Sequence, residues 1–195
     1  MLRKTAYSLL IVGAVGASLP AAFAANDSHQ PYSGLENRAI KALSGDRVDG
    51  LLTGKGIGYA LAAELNHYPG PRHAIDFSQE LSLSPEQDKK VRALFQSMEA
   101  KAIRLGKMIV DGERKLDRAF SEKTIRTETL EKMTGAIAIL EGKLRAVHLR
   151  THLEMVKILS PTQVAHYDRL RGYDNGEGGH DGMMGHRPEH HQMKH

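Results

Sequence analysis

The sequence predicts an all-α fold: a long antiparallel helical hairpin with short flanking helices. Two observations carry this. Ser84-Pro85-Glu86-Gln87 and Ser160-Pro161-Thr162-Gln163 are one helix-start signal used twice: the serine caps, proline suits the first helical position, and the glutamine closes a capping box. After the first signal, apolar or small residues recur in alternating steps of four and three, at 91, 95, 98, 102, 105, 109, 112 and 116. The pattern resumes at Leu130, Met133, Ile137, Leu140, Leu144, Val147 and Thr151. This is the 3.5-residue seam of paired helices.

The elements follow in chain order. Arg3 and Lys4 precede an apolar run from Ala6 to Leu19, and Pro20 and Ala22-Phe23-Ala24 complete the pattern of a signal peptide over residues 1–24. The run is too short for a bilayer core, which takes roughly 20 residues. The protein is therefore expected in the periplasm, cleaved before Ala25. Removing 24 of 195 residues leaves 171 and takes away two cations and no acid, so the net charge falls from +4 to +2. That mild excess, in that compartment, argues against a nucleic-acid partner. With no cysteine, disulfides and thiolate metal sites are excluded.

Residues 25–80 read as a flexible leader and short helices interrupted by Gly45, Gly50, Gly54 and Gly56. The best pieces are Tyr59 to Leu65, stopped by Tyr68-Pro69-Gly70-Pro71, and His73 to Leu81. The hairpin domain covers 81–173. Its first long helix runs from Ser84 to about Phe120 and its second from a cap at Thr127 to near Leu159. A short helix from Pro161 closes at Gly172. Residues 174–195 form a Gly-, His- and Met-rich tail expected to be disordered. Aromatics are scarce (5%) and Trp is absent, so the hairpin by itself is expected to lack a globular interior. A second chain is the natural supplier of the missing contacts, which predicts a homodimer.

Leu83-Ser84-Pro85-Glu86-Gln87 and Leu159-Ser160-Pro161-Thr162-Gln163 resemble the paired Leu-Thr-x-x-Gln motifs of the Spy/CpxP family of periplasmic stress proteins, with Ser in place of Thr. The resemblance spans about Leu81 to Tyr173. The flanking Pro31-Tyr32-Ser33-Gly34-Leu35 and Leu170-Arg171-Gly172-Tyr173 are similar to a branch labelled as zinc-resistance-associated and heavy-metal-sensor proteins. The resemblance implies a hairpin that dimerises into an elongated, curved cradle. It also implies an ATP-independent chaperone, or holdase, for unfolded or misfolded periplasmic proteins, carried on a basic, partly apolar face. The alternative it implies is a heavy-metal sensor or buffer read by a membrane partner.

His148 and His152 stand four apart on the second long helix, so both imidazoles project from one side, at the edge of its apolar seam. That spacing is either a surface pair or half of a site for Zn, Ni, Co or Cu. An N-terminal segment can pack over it; Met155 is nearby, and His67 or His73 are the candidates to complete it. The tail carries His180, His186, His190, His191 and His195 with Met183, Met184 and Met193. These suit loose coordination of several borderline ions, or a purely solubilising tail. On the first long helix nine cations outnumber six acids: a solvated face, or a source of attraction for clients. No phosphate loop, nucleophile elbow or His-Glu-x-x-His is present. The chain reads as non-enzymatic, without an organic cofactor.

Overall fold

The computed structural model describes residues 31–173, and the regular elements in that range are all helical. The expected signal peptide, its cleavage point before Ala25, and the tail with His180, His186, His190, His191 and His195 lie outside the described residues. The chain divides into two units, Met1–Gly34 and Leu35–His195. Of the first, only a turn at 31–34 is described; the second holds the helices.

After a single 3-10 turn at Leu35–Asn37 come α1 (Gly45–Thr53), α2 (Leu61–Glu64), α3 (Pro71–Asp76), α4 (Pro85–Ser121), α5 (Thr127–Ile158) and α6 (Pro161–Arg171). Both helix-start signals work as their sequences imply. The Ser84 hydroxyl accepts from Gln87 N–H while the Gln87 amide oxygen accepts from Ser84 N–H, and Ser160 and Gln163 repeat the exchange. The start of α5 lies one residue earlier than expected. Arg126, not Thr127, is the N-cap, and its N–H donates to the Thr129 hydroxyl. The stop of α6 is Gly172, whose φ of 71° only glycine adopts freely.

α4 and α5 run antiparallel. Gln87, at the start of α4, donates to the carbonyl of Ile158 at the end of α5, and Gly112 faces Ile137 midway. Of the seams read from the sequence, Val91, Met98, Ala102 and Ile109 on α4 and Ile137, Leu144 and Thr151 on α5 are buried; the other seam positions are half-buried, and Gly106, Val110, His148, His152 and Met155 are buried beside them.

Residues 35–83 differ from expectation. They hold short helices, as expected, but pack along one side of the hairpin within the single unit Leu35–His195, so the boundary expected at 81 divides nothing structurally. Ile40, Leu43 and Leu51 join Met98, Ala102, Ile109, Val110 and Leu144 in one core cluster. Ala74 and Leu81 join Val91, Met155, Leu159 and Tyr167 in another. The helices within this segment are shorter than their sequences suggested: 61–64 instead of 59–65, and 71–76 instead of 73–81. The crossing of α1 over α4 explains Gly106, where a Cβ would lie 1.9 Å from the Leu51 carbonyl oxygen. The internal contacts that a bare hairpin lacks are thus supplied by the same chain. The resemblance still implies a dimer; the packing argument no longer requires one.

Candidate functional site: a histidine-lined cavity

The covering segment closes over α5 where His148 and His152 project. A cavity of about 370 Å³ results, walled by both histidines, by His73 at α3 and by Glu64 of α2, with Arg171 and Tyr173 following from α6. His148 and His152 are 4% and 6% exposed, so they are not a surface pair.

The two rings are held differently. His152 Nδ1 lies 2.7 Å from the Tyr68 carbonyl oxygen. A carbonyl only accepts, so Nδ1 carries the proton and donates; Glu64 stands behind it with Oε2 at 3.6 Å. This leaves Nε2 as the nitrogen whose lone pair is available, the arrangement by which a backbone carbonyl orients a metal-ligating imidazole. His148 stacks on the Tyr59 ring, with centroids 5.9 Å apart and planes 14° from parallel. Its Nε2 is buried without a hydrogen-bond partner. Burial, and then the charge of His152 one turn on, push its pKa down to about 4, so the ring is neutral at neutral pH.

Tyr59 is fixed in turn by α5: its hydroxyl donates to Glu141, and Arg47 of α1 bonds both groups. On the other side of the cavity, Glu64 is a buried carboxylate, 8% exposed, whose Oε1 accepts from Tyr167 (2.7 Å), Arg171 (3.2 Å) and Tyr173 (3.2 Å). Tyr167 also accepts from the N–H of Gly70. Burial and the neighbouring Glu64 push the Tyr167 hydroxyl well above its ordinary pKa, so it stays a donor.

Of the candidates expected to complete the pair, His73 reaches the cavity. Its pKa is lowered by burial and then by Arg171. His67 turns away: at φ 66° it pairs through Nδ1 with Asp168 of α6, 3.0 Å distant. Met155 is fully buried in the Ala74–Tyr167 cluster. Among the described residues, no three His, Asp or Glu side chains are grouped closely enough to hold a metal ion as they stand. The cavity lining thus brings together two buried imidazoles from α5 and, from α3 opposite, a third.

The sequence reading missed Tyr59, Glu64 and Tyr167. No spacing announces them, because their partners on the far side of the chain lie 82 to 109 residues away and only tertiary packing joins them. No protein-family model, curated protein or solved structure matches the chain.

Proposed function

We propose that this is an exported, non-enzymatic binding protein that responds to a borderline divalent metal ion such as Zn, Ni, Co or Cu, as a sensor or buffer of Spy/CpxP character. One observation carries the reading. His148 and His152 sit one helical turn apart on a cavity wall, with one Nε2 orphaned and the other freed by a carbonyl held on Nδ1. A buried polar atom without a protein partner is uncommon and is met by a bound water or ion, and a neutral imidazole is the form that coordinates a metal. Because the same cavity is roofed by α2 and α3, an ion drawing the two rings and His73 together changes how that roof sits on α5. That coupling is what a membrane partner reads.

The test is calorimetric titration of three forms of the chain from Ala25: intact, ending at Tyr173, and ending at Tyr173 with His148→Ala and His152→Ala. Tyr173 is retained because its hydroxyl belongs to the Glu64 network. The truncated form is expected to keep one tight site per chain and to lose weaker, multiple binding. If the two truncated forms give superimposable isotherms for all four metals, the helix pair is not a site and any metal function belongs to the tail.

The holdase reading is favoured by a separate observation. Leu61 and Leu65 on and beside α2, and Phe120 at the end of α4, are 55%, 57% and 53% exposed. Suppression of the aggregation of a denatured test protein without ATP supports it; inactivity with and without metal removes it.

A further inference from the structure

The hairpin has two long sides, and α1–α3 cover only one. On α4 that covered side carries Gly106 and Asp117, and on α5 it carries Glu141, His148 and His152. By helical periodicity the opposite side of α4 presents Lys90, Lys101 and Lys115, and that of α5 presents Lys132, Lys143, Arg150 and Lys157. Every one of these is exposed. Glu86, Glu128 and Glu154 are the acids nearest these arcs, against seven cations. Lys157 is held by Glu154 at 2.7 Å; the other six cations enter no ion pair among the described residues.

The antiparallel register aligns the two rows. The contacts of Gln87 with Ile158 and of Gly112 with Ile137 set Lys90 level with Lys157, and Lys115 level with Lys132. Lys101 falls between Lys143 and Arg150. Each row spans 25 residue steps, from 90 to 115 and from 132 to 157, or roughly 37 Å at 1.5 Å per residue, and the rows are roughly 8–10 Å apart between helix axes. Between the Lys101–Lys143 and Lys115–Lys132 levels of this ladder Met108 and Ile139 come side by side, 50% and 59% exposed.

We propose that this uncovered side docks on the anionic phospholipid headgroups of a bilayer. Two aligned rows of like charge repel one another in the free protein, and a flat sheet of anions neutralises both rows at once, where a single acidic helix neutralises one. Cations near such a surface each raise partitioning roughly fivefold, and the attraction decays within a Debye length. Met108 and Ile139, exposed between the charged rows, add apolar surface on the same side, the composition of an interfacial amphipathic surface. No helix among the described residues is long and apolar enough to cross a membrane, so the contact is peripheral. It is independent of the histidine cavity, which lies on the covered side.

The experiment is co-sedimentation of the chain from Ala25 to His195 with vesicles of phosphatidylcholine alone and of equal parts phosphatidylcholine and phosphatidylglycerol. Measurements are made over a salt series with a chelator present to silence metal binding. Binding is expected to the anionic vesicles only and to fall steeply with salt. Lys101→Glu, Lys143→Glu and Arg150→Glu together are expected to weaken it more than about a hundredfold with an unchanged thermal midpoint. Met108→Ser with Ile139→Ser is expected to weaken it several-fold and leave the salt slope as it was. Equal binding to both vesicles, no binding to either, or indifference to the charge reversals overturns the proposal. Loss of aggregation suppression in the triple variant, without vesicle binding by the parent, assigns the face to protein clients instead and also overturns it.

Discussion

Gln87 and Gln163, 76 residues apart, exchange side-chain hydrogen bonds: Gln87 Nε2 lies 2.8 Å from Gln163 Oε1, and Gln163 Nε2 lies 3.1 Å from Gln87 Oε1. Each amide oxygen also caps its own helix, and each amide nitrogen also donates across, to the carbonyls of Ile158 and Leu81 respectively. The paired motifs are therefore one structure. They lock the start of α4 to the start of α6 and so fix where α5 must end.

Removing one glutamine strands donors and acceptors on the other. Gln87→Ala and Gln163→Ala are each expected to destabilise the protein by about 1–3 kcal/mol. The double variant should lose clearly less than the sum, because the pair shares its bonds. Urea unfolding of the two single variants and the double measures this; strict additivity means the amides act independently.

The caps make a smaller, separable contribution. Ser84→Ala and Ser160→Ala each leave an N–H unsatisfied at a helix start and should lower stability by about 0.5–2 kcal/mol. A double variant with an unchanged melting temperature shows that the hydroxyls are replaced by water without loss.

Glycines at three places on the long helices should respond with opposite signs. Gly106→Ala drives a methyl into the Leu51 backbone and is expected to cost about 1–3 kcal/mol as the helices are forced apart. Gly135 and Gly142 are exposed, a Cβ at either meets nothing within 4 Å, and nothing in the structure explains them. Gly135→Ala and Gly142→Ala should each stabilise by about 0.5–1 kcal/mol. Denaturation midpoints of the three variants decide it; a loss at 135 or 142 points to a partner surface that needs the bare backbone.

Acid should act on His148. Its pKa is about 6.5 unfolded and about 4 folded, so below 6.5 the unfolded chain takes up a proton that the folded one refuses. The contribution to stability is complete above pH 6.5 and is lost as pH falls toward 4. His148→Gln should flatten the melting temperature across that window while leaving other acid transitions in place. An unchanged pH profile in this variant means that His148 titrates freely in the folded protein.

The sequence by itself determined the two long helices, the caps of α4 and α6, and the main seam positions, because these depend on chemistry within a few residues: serine, proline and glutamine at fixed offsets, and apolar groups every three or four positions. It likewise put His148 and His152 on one side of α5. Only the tertiary structure decided what those histidines face. The segment 35–83 carries short, glycine-broken patterns with little periodic signal, and its position comes from long-range fits: Gly106 admitting Leu51, Tyr59 reaching Glu141, Tyr68 offering its carbonyl to His152, and Glu64 gathering Tyr167, Arg171 and Tyr173. Each joins groups too far apart in the chain for spacing to record. The ladder of cations opposite that segment was legible only as a run of charge until the antiparallel register placed the two helices' rows side by side.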